Sequence, residues 1–418
     1  MKVLLLGLNY APEPIGIGPY TAGLVEALSA EGHEVRVVAG HPYYPDWKAC
    51  PGHHLWQCET QGRKRIWRVP HFIPRQPSGL KRLFHQLTFA LSALPILAAE
   101  SLVWRPDCVI AIAPSLAASP LALFAARLAG ARTWLHVQDF EFEAALATGL
   151  IDSHPIFDRA LRTIESTILR SFDRVSTISP AMCRRLADKG VPHDRISEQR
   201  NWGNIGEIVP IDRPSPYRAE WEIKTPHVAL YSGALGRKQG LETVIEAART
   251  LVPRQDLTFV ICGNGPDRDR LQALAAGLPN IRFCDLQPAG QLGEFLNLAI
   301  IHLLPQIAGA ADLVLPSKLP NMLASGRPVI ATAAPGTGLF DEVRDCGLLV
   351  EPGDAAALAR AIGQLCDDPA LRIRLGRAAR HRAELRWQRA AILSGFVAAI
   401  EALAQSRDAR PVLAGEKA

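Results

Sequence analysis

The chain has 418 residues, 48% hydrophobic and 21% charged, with a formal net charge of +5 and a pI near 8.8. That length exceeds one ordinary hydrophobic core and predicts two domains. The composition excludes a disordered chain, and the mild basicity excludes a dedicated nucleic-acid binder, so no nucleic-acid partner is expected.

Eight cysteines, none in C-x-x-C spacing, read as small buried hydrophobes in a reducing compartment. The apolar start runs straight into a strand pattern without a cleavage site, so a cytoplasmic location is expected.

Residues 3–8 predict a strand, followed by a loop with Gly16, Ile17 and Gly18. A helix is expected at 20–30, with Leu24, Val25 and Leu28 on one face, then a strand at 35–39. Residues 83–104 are largely apolar and follow Arg63, Lys64, Arg65, Arg68, Arg75, Lys81 and Arg82. The run approaches the length of a membrane span. However, His85, Gln86, Ser92, Glu100 and Ser101 interrupt it, and Pro95 is expected to break it. Two readings stay open: a buried or half-buried helix pair, and a basic, apolar surface resting on an anionic membrane. The second would make the protein peripherally associated with the inner face of the cytoplasmic membrane.

Strands at 108–113, 133–137 and 174–178 then alternate with helices at 121–129 and 159–170. Between 204 and 226, Pro210, Pro214, Pro216 and Pro226 predict a linker. The alternation resumes with strands at 227–231, 257–262, 281–284, 300–304 and 329–331, and helices at 241–251, 268–276, 292–298 and 318–324. A helical region at 355–404 closes the pattern. Nearly unbroken apolar strands between helices predict parallel sheets covered on both faces. The fold class is therefore α/β: two doubly wound, Rossmann-like domains facing each other across an interdomain cleft. The expected boundaries are 1–205 and 206–384, with the helix at 385–418 packing back on the first domain.

Two of the predicted strands end in glycine turns that lead into helices. The first carries Gly233 with Arg237 and Lys238; the second carries Gly263, Asn264 and Gly265. Such turns let backbone N–H groups approach an anion at the positive end of a helix. Together they read as a cradle for a diphosphate. The Gly16–Gly18 loop lacks the third glycine and the downstream acid of a dinucleotide fingerprint, so NAD is not expected. His136 and Asp139, with Glu141 nearby, end a predicted strand, where active-site groups concentrate. A hydrogen-bonded core histidine is the competing reading. Asp267 and Asp269 open a helix just after Pro266, where acids offset the helix dipole, so no essential metal is expected.

These motifs, in this order, resemble retaining glycosyltransferases of the GT-B fold, family 4. The carriers are NYAPEPIGIGPYT at 9–21, EGHEV at 31–35, the Gly233 unit with GLETVIEAA at 240–248, the Gly263–Pro266 turn, and ASGRPVI at 324–330. HPYYP at 41–45, LHVQD at 135–139, KQG at 238–240 and GAADLVLPSKL at 309–319 are similar to the colanic-acid-type branch of that family.

The resemblance implies a GDP- or UDP-linked sugar donor, a lipid-linked oligosaccharide acceptor and a role in exopolysaccharide assembly. It implies that Gly16, Ile17 and Gly18 face the donor phosphates, and that Ser317, Lys318 and Leu319 meet the diphosphate. The family's usual phosphate-binding cations are replaced by Ala234 and Gln239, and Arg237 or Lys238 stands close enough to take over. The family's two glutamates are replaced by Leu313 and Asn321, and Asn321 offers a carbonyl and an amide for the ribose. No protein nucleophile is implied, because the donor diphosphate itself helps deprotonate the acceptor. His136 and Asp139 are candidates on the acceptor side. Two other readings stay open: a nucleotide-sugar epimerase on the same plan, and a non-catalytic two-domain sugar-binding protein.

Overall fold

The computed structural model describes residues 1–14, 16–75, 79–113, 116–140, 155–308 and 315–406. The first sheet contains β1 (Lys2–Gly7), β2 (Glu34–Gly40), β3 (Gln57–Gln61), β4 (Lys64–Val69), β5 (Cys108–Ala113), β6 (Arg132–Val137), β7 (Arg174–Thr177) and β8 (Ile196–Glu198). Its order is β3-β4-β2-β1-β5-β6-β7-β8, parallel throughout except for the β3–β4 pair. The second sheet contains β9 (His227–Ser232), β10 (Leu257–Cys262), β11 (Ile281–Cys284), β12 (Ile301–Leu304), β13 (Val329–Thr332) and β14 (Gly347–Val350). Its order is β11-β10-β9-β12-β13-β14, and all five neighbouring pairs are parallel. β5 and β10 are buried at every position, which is why they read as unbroken apolar runs. Strand order reverses between β1 and β5 in one sheet and between β9 and β12 in the other. Such switch points are where open α/β sheets hold ligands.

Contacts divide the chain into two units: Met1–Arg200 together with the C-terminal helix from Leu393, and Asn201–Ile392. In the first unit the helix Arg389–Gln405, from Leu393 onward, places the Phe396 ring 5.3 Å from Trp134 and 5.2 Å from His136. Glu401 on that helix meets His33 at 2.8 Å. In the second unit, alternate residues of β9 feed opposite faces of the sheet. Val228 and Leu230 join one apolar cluster, while Ala229 and Tyr231 join the other.

Three expectations change, and one hairpin appears that was not expected. Residues 204–226 are not a linker: Ile205, Ile208, Tyr217 and Ile223 are buried in the second unit's core, and Tyr217 donates to Gln291 Oε1 at 2.7 Å. Pro95 does not break its helix, which runs from Gly79 to Val103. Pro95 and Leu91, the residue four before it, both stand on the exposed side, while Phe89, Ala93 and Leu97 hold the helix to the core from either side. The β3–β4 hairpin carried no sequence signal because β3 is a polar edge strand, exposed along its whole length. Arg68, counted above in a basic flank, is buried and donates to the carbonyls of Gly40, at 3.1 Å, and Ala11.

Candidate functional site

In the second unit the candidate site lies at the carboxyl ends of β9 and β10, and the two glycine loops are strapped together. Gly233 N–H donates to Cys262 O at 3.0 Å, and Leu235 N–H donates to Asn264 O at 2.9 Å. Asp267 N–H returns to Leu235 O at 3.1 Å. Gly263 has φ +154°, and a Cβ there would overlap the Gly233 carbonyl oxygen. A Cβ at Gly265 would overlap the Leu235 carbonyl. The glycines of the second loop are thus required by the first loop, not only by a ligand. Arg268 braces the arrangement by donating to Gly263 O at 2.9 Å and to Asn264 Oδ1.

Lys318 supplies the charge beside these loops. Its Nζ donates to Ser232 O at 3.1 Å and stands 3.9 Å from the centre of the Tyr231 ring. A Cβ at Gly233 would lie 3.2 Å from it. The Tyr231 hydroxyl donates to Ala234 O at 2.6 Å, and burial raises its pKa, so the ring beneath the cation stays neutral. Burial pushes the Lys318 amine down to about 7. An ammonium there gains from any anion that reaches the loop.

The other predicted cations sit differently. Arg237 is 85% exposed at its side chain and lies 3.8 Å from Asp267, whose carboxylate also pairs with Arg270 at 3.0 Å. Lys238 is exposed, and its carbonyl accepts from Ile307 N–H at 3.2 Å. Ser317 is exposed. Leu319 is fully buried and its N–H is bonded to Pro316 O at 3.0 Å. Asn321 Oδ1 accepts from Asn204 N–H at 2.9 Å, so the carbonyl offered above to a ribose is engaged within the unit. Leu313, in the 309–314 stretch, lies outside the described residues, as does Glu141.

Sequence reasoning missed Gln306, just beyond β12 on the other side of the switch point. Its backbone N–H donates to Thr332 Oγ1 at 2.7 Å, and its carbonyl accepts from that hydroxyl at 2.8 Å. Its side-chain oxygen is buried and has no hydrogen-bond partner among the described residues.

In the first unit, Gly16 has φ +76° and lies against Tyr44; Ile17 O accepts from Thr21 N–H at 3.0 Å, and Gly18 opens the helix Gly18–Ala30. This loop is built on Glu13, a second residue that the sequence reading did not single out. Glu13 is buried and accepts from Asn9 Nδ2 at 2.9 Å and from the N–H groups of Tyr43 and Tyr44, each at 3.2 Å. Burial raises its pKa, and those bonds oppose the rise.

His136 is a core residue by its geometry. One ring nitrogen, Nδ1, lies 2.8 Å from Ser176 Oγ, and Gln138 Nε2 lies 2.9 Å from the other. Burial pushes it down to about 3, so the ring is neutral. An imidazole with both nitrogens engaged and its face covered by Phe396 holds the sheet to the C-terminal helix, and an acceptor-side role does not follow from it. Asp139, half-buried, follows on the same loop.

Both units match known family models. Residues 16–202 match the glycosyl transferase 4-like domain, and residues 215–382 match glycosyl transferases group 1. The chain is 39% identical over 379 residues to a protein of Escherichia coli (strain K12) named as a colanic acid biosynthesis glycosyl transferase, WcaI, covering 87% of this chain and 92% of that one. Among solved structures, sucrose-phosphate synthase from Thermosynechococcus elongatus aligns with a TM-score of 0.73 at 20% identity, covering 97% of this chain and 100% of that one. Anabaena HepE in complex with UDP-glucose aligns with a TM-score of 0.67 at 15% identity, covering 96% of this chain and 100% of that one. The fold is GT-B, and with family matches in both units and a relative of this identity along most of its length, the chain belongs to the group 1 (family 4) glycosyltransferases.

Proposed function

We propose that the chain transfers a sugar, with retention, from a UDP- or GDP-linked donor to a lipid-linked glycan during exopolysaccharide assembly, at the inner face of the cytoplasmic membrane. The observation that carries the donor side is Lys318 at the end of β9, beside Gly233 and the strapped Gly263–Gly265 loop. That is one cation at the switch point of a parallel sheet, where a diphosphate finds both charge and close backbone. It takes the place of the family cations missing at Ala234 and Gln239.

The pathway rests on the 39% identity to the colanic acid relative, and the nucleotide sugar is supported by the UDP-glucose bound to HepE. The reaction needs no resident metal in this reading, because Lys318 meets the leaving diphosphate. Thermal-shift screening against UDP, GDP and their sugar conjugates tests it. A ligand at 100 times its Kd adds about 2.7 kcal/mol of stability, an easily measured rise in Tm. A chain that responds to none of these nucleotides would refute the reading.

A further inference from the structure

The helix Gly79–Val103 has two unlike faces. Its inner face, with His85, Phe89, Ala93 and Leu97, is buried against the first sheet. Its outer face is apolar where a surface helix is normally polar. Leu83, Phe84, Leu87 and Leu91 are all exposed there, Leu91 at 70%. The helix has one acid, Glu100, and it is turned inward onto Arg36 and Trp67 Nε1. Other elements extend the patch. The exposed Trp56 donates from Nε1 to Ser92 O at 3.0 Å, and the exposed Phe72 ring packs 5.2 Å from Phe84. Exposed cations, Arg75, Lys81 and Arg82, gather at the N-terminal end of the same helix.

We propose that this face docks on an anionic bilayer, its leucines and aromatic rings among the headgroups and its three cations on lipid phosphates. Charge chooses the occupant: an apolar row headed by cations and free of outward acids fits a negatively charged lipid surface. The helix is long and apolar enough to cross a membrane by length and composition. Crossing would, however, pull Phe89, Ala93 and Leu97 out of the core and strip Glu100 from its partners, so the helix lies on the surface. The inference deepens the proposed function by naming the partner that a lipid-linked acceptor requires, and it rests on that reading only for its purpose.

The test is co-sedimentation of the full chain with phosphatidylcholine vesicles, with and without phosphatidylglycerol, at rising salt and without donor or acceptor. Binding is expected only with the anionic lipid and should fall with salt. Replacing Arg75, Lys81 and Arg82 with Ser should weaken it about fivefold per cation, or roughly a hundredfold together. L87E/L91E should weaken it at least tenfold while Tm stays at the wild-type value; if that pair unfolds the chain, Leu91→Ser gives the same reading more mildly. Four results would overturn the proposal. They are no binding to anionic vesicles, binding indifferent to salt and to these substitutions, release from membranes by detergent alone, and lipid-free self-association that L87E/L91E abolishes. Because no substrate is present, a failure of the transferase reading would leave vesicle binding intact, and the two failures are distinguishable.

Discussion

Lys318 Nζ donates to the carbonyl oxygen of Ser232 at 3.1 Å, which fixes an amine at the last residue of β9. Among the described residues no carboxylate pairs with this lysine, which lies partly withdrawn from water over a neutral ring. The pairing joins two motifs 86 residues apart and gives the candidate donor site its charge.

Donor binding should therefore take up a proton. The Lys318 amine is pushed down to about 7 by burial, and a bound diphosphate raises it again. Between the free and bound values the complex holds a proton that the free protein does not. Uptake is expected near one proton at about pH 8 and near zero at about pH 6. Calorimetry with a nucleotide sugar, in buffers of different ionisation enthalpy, reads this directly. The same depression means that the unliganded protein gains stability as pH rises from about 7 toward the ordinary lysine value, where only the unfolded chain still binds the proton. Lys318→Met should remove both effects.

Gly263→Ala should damage the candidate donor loop without removing any side chain that could touch a ligand. It combines a φ that side chains rarely adopt with overlap on the Gly233 carbonyl, and a cost of about 2–4 kcal/mol is expected. Chemical denaturation measures that loss, and nucleotide affinity should fall with it. A variant of wild-type stability would show that the strapped loops are not held as described.

His136→Ala should cost about 2–3 kcal/mol of stability and leave kcat within twofold per folded molecule. Wild-type stability should fall as pH drops below the unfolded histidine value of about 6.5. The folded ring, pushed down to about 3, stays neutral there while the unfolded chain binds the proton. The slope attributable to this group is at most about 1.4 kcal/mol per pH unit. A tenfold fall in kcat at unchanged Tm would return His136 to the acceptor site.

Asn321→Ala removes the acceptor for Asn204 N–H, and a destabilisation of about 1 kcal/mol is expected. Nucleotide affinity should change by less than threefold. A loss above tenfold, with stability intact, would mean that the side chain reaches a ribose despite that bond.

The parallel sheets and the two glycine turns of the candidate site were legible because buried parallel strands write themselves as unbroken apolar runs such as β5 and β10, and glycines mark their ends. The edge hairpin β3–β4 was not legible, since an exposed polar strand has no hydrophobic period. The proline-rich stretch at 204–226 misled because prolines shape a packed, irregular segment as readily as a free one; the buried Ile205, Ile208 and Ile223 were the missed signal. Lys318 could be nominated from its motif, but its seat on Tyr231 joins residues far apart in sequence. Glu13 and Gln306 lacked any local pattern, because their partners Tyr43, Tyr44 and Thr332 are brought to them only by the fold.

A donor site at Gly233, Gly263 and Lys318 is put to the test by isothermal titration of the wild type and Lys318→Ala with UDP- and GDP-sugars. The wild type should bind one nucleotide sugar saturably, and the variant should lose about 10- to 150-fold in affinity, the worth of a charged hydrogen bond to phosphate. Equal affinity in the two proteins, or no binding of either nucleotide class by the wild type, would contradict that site.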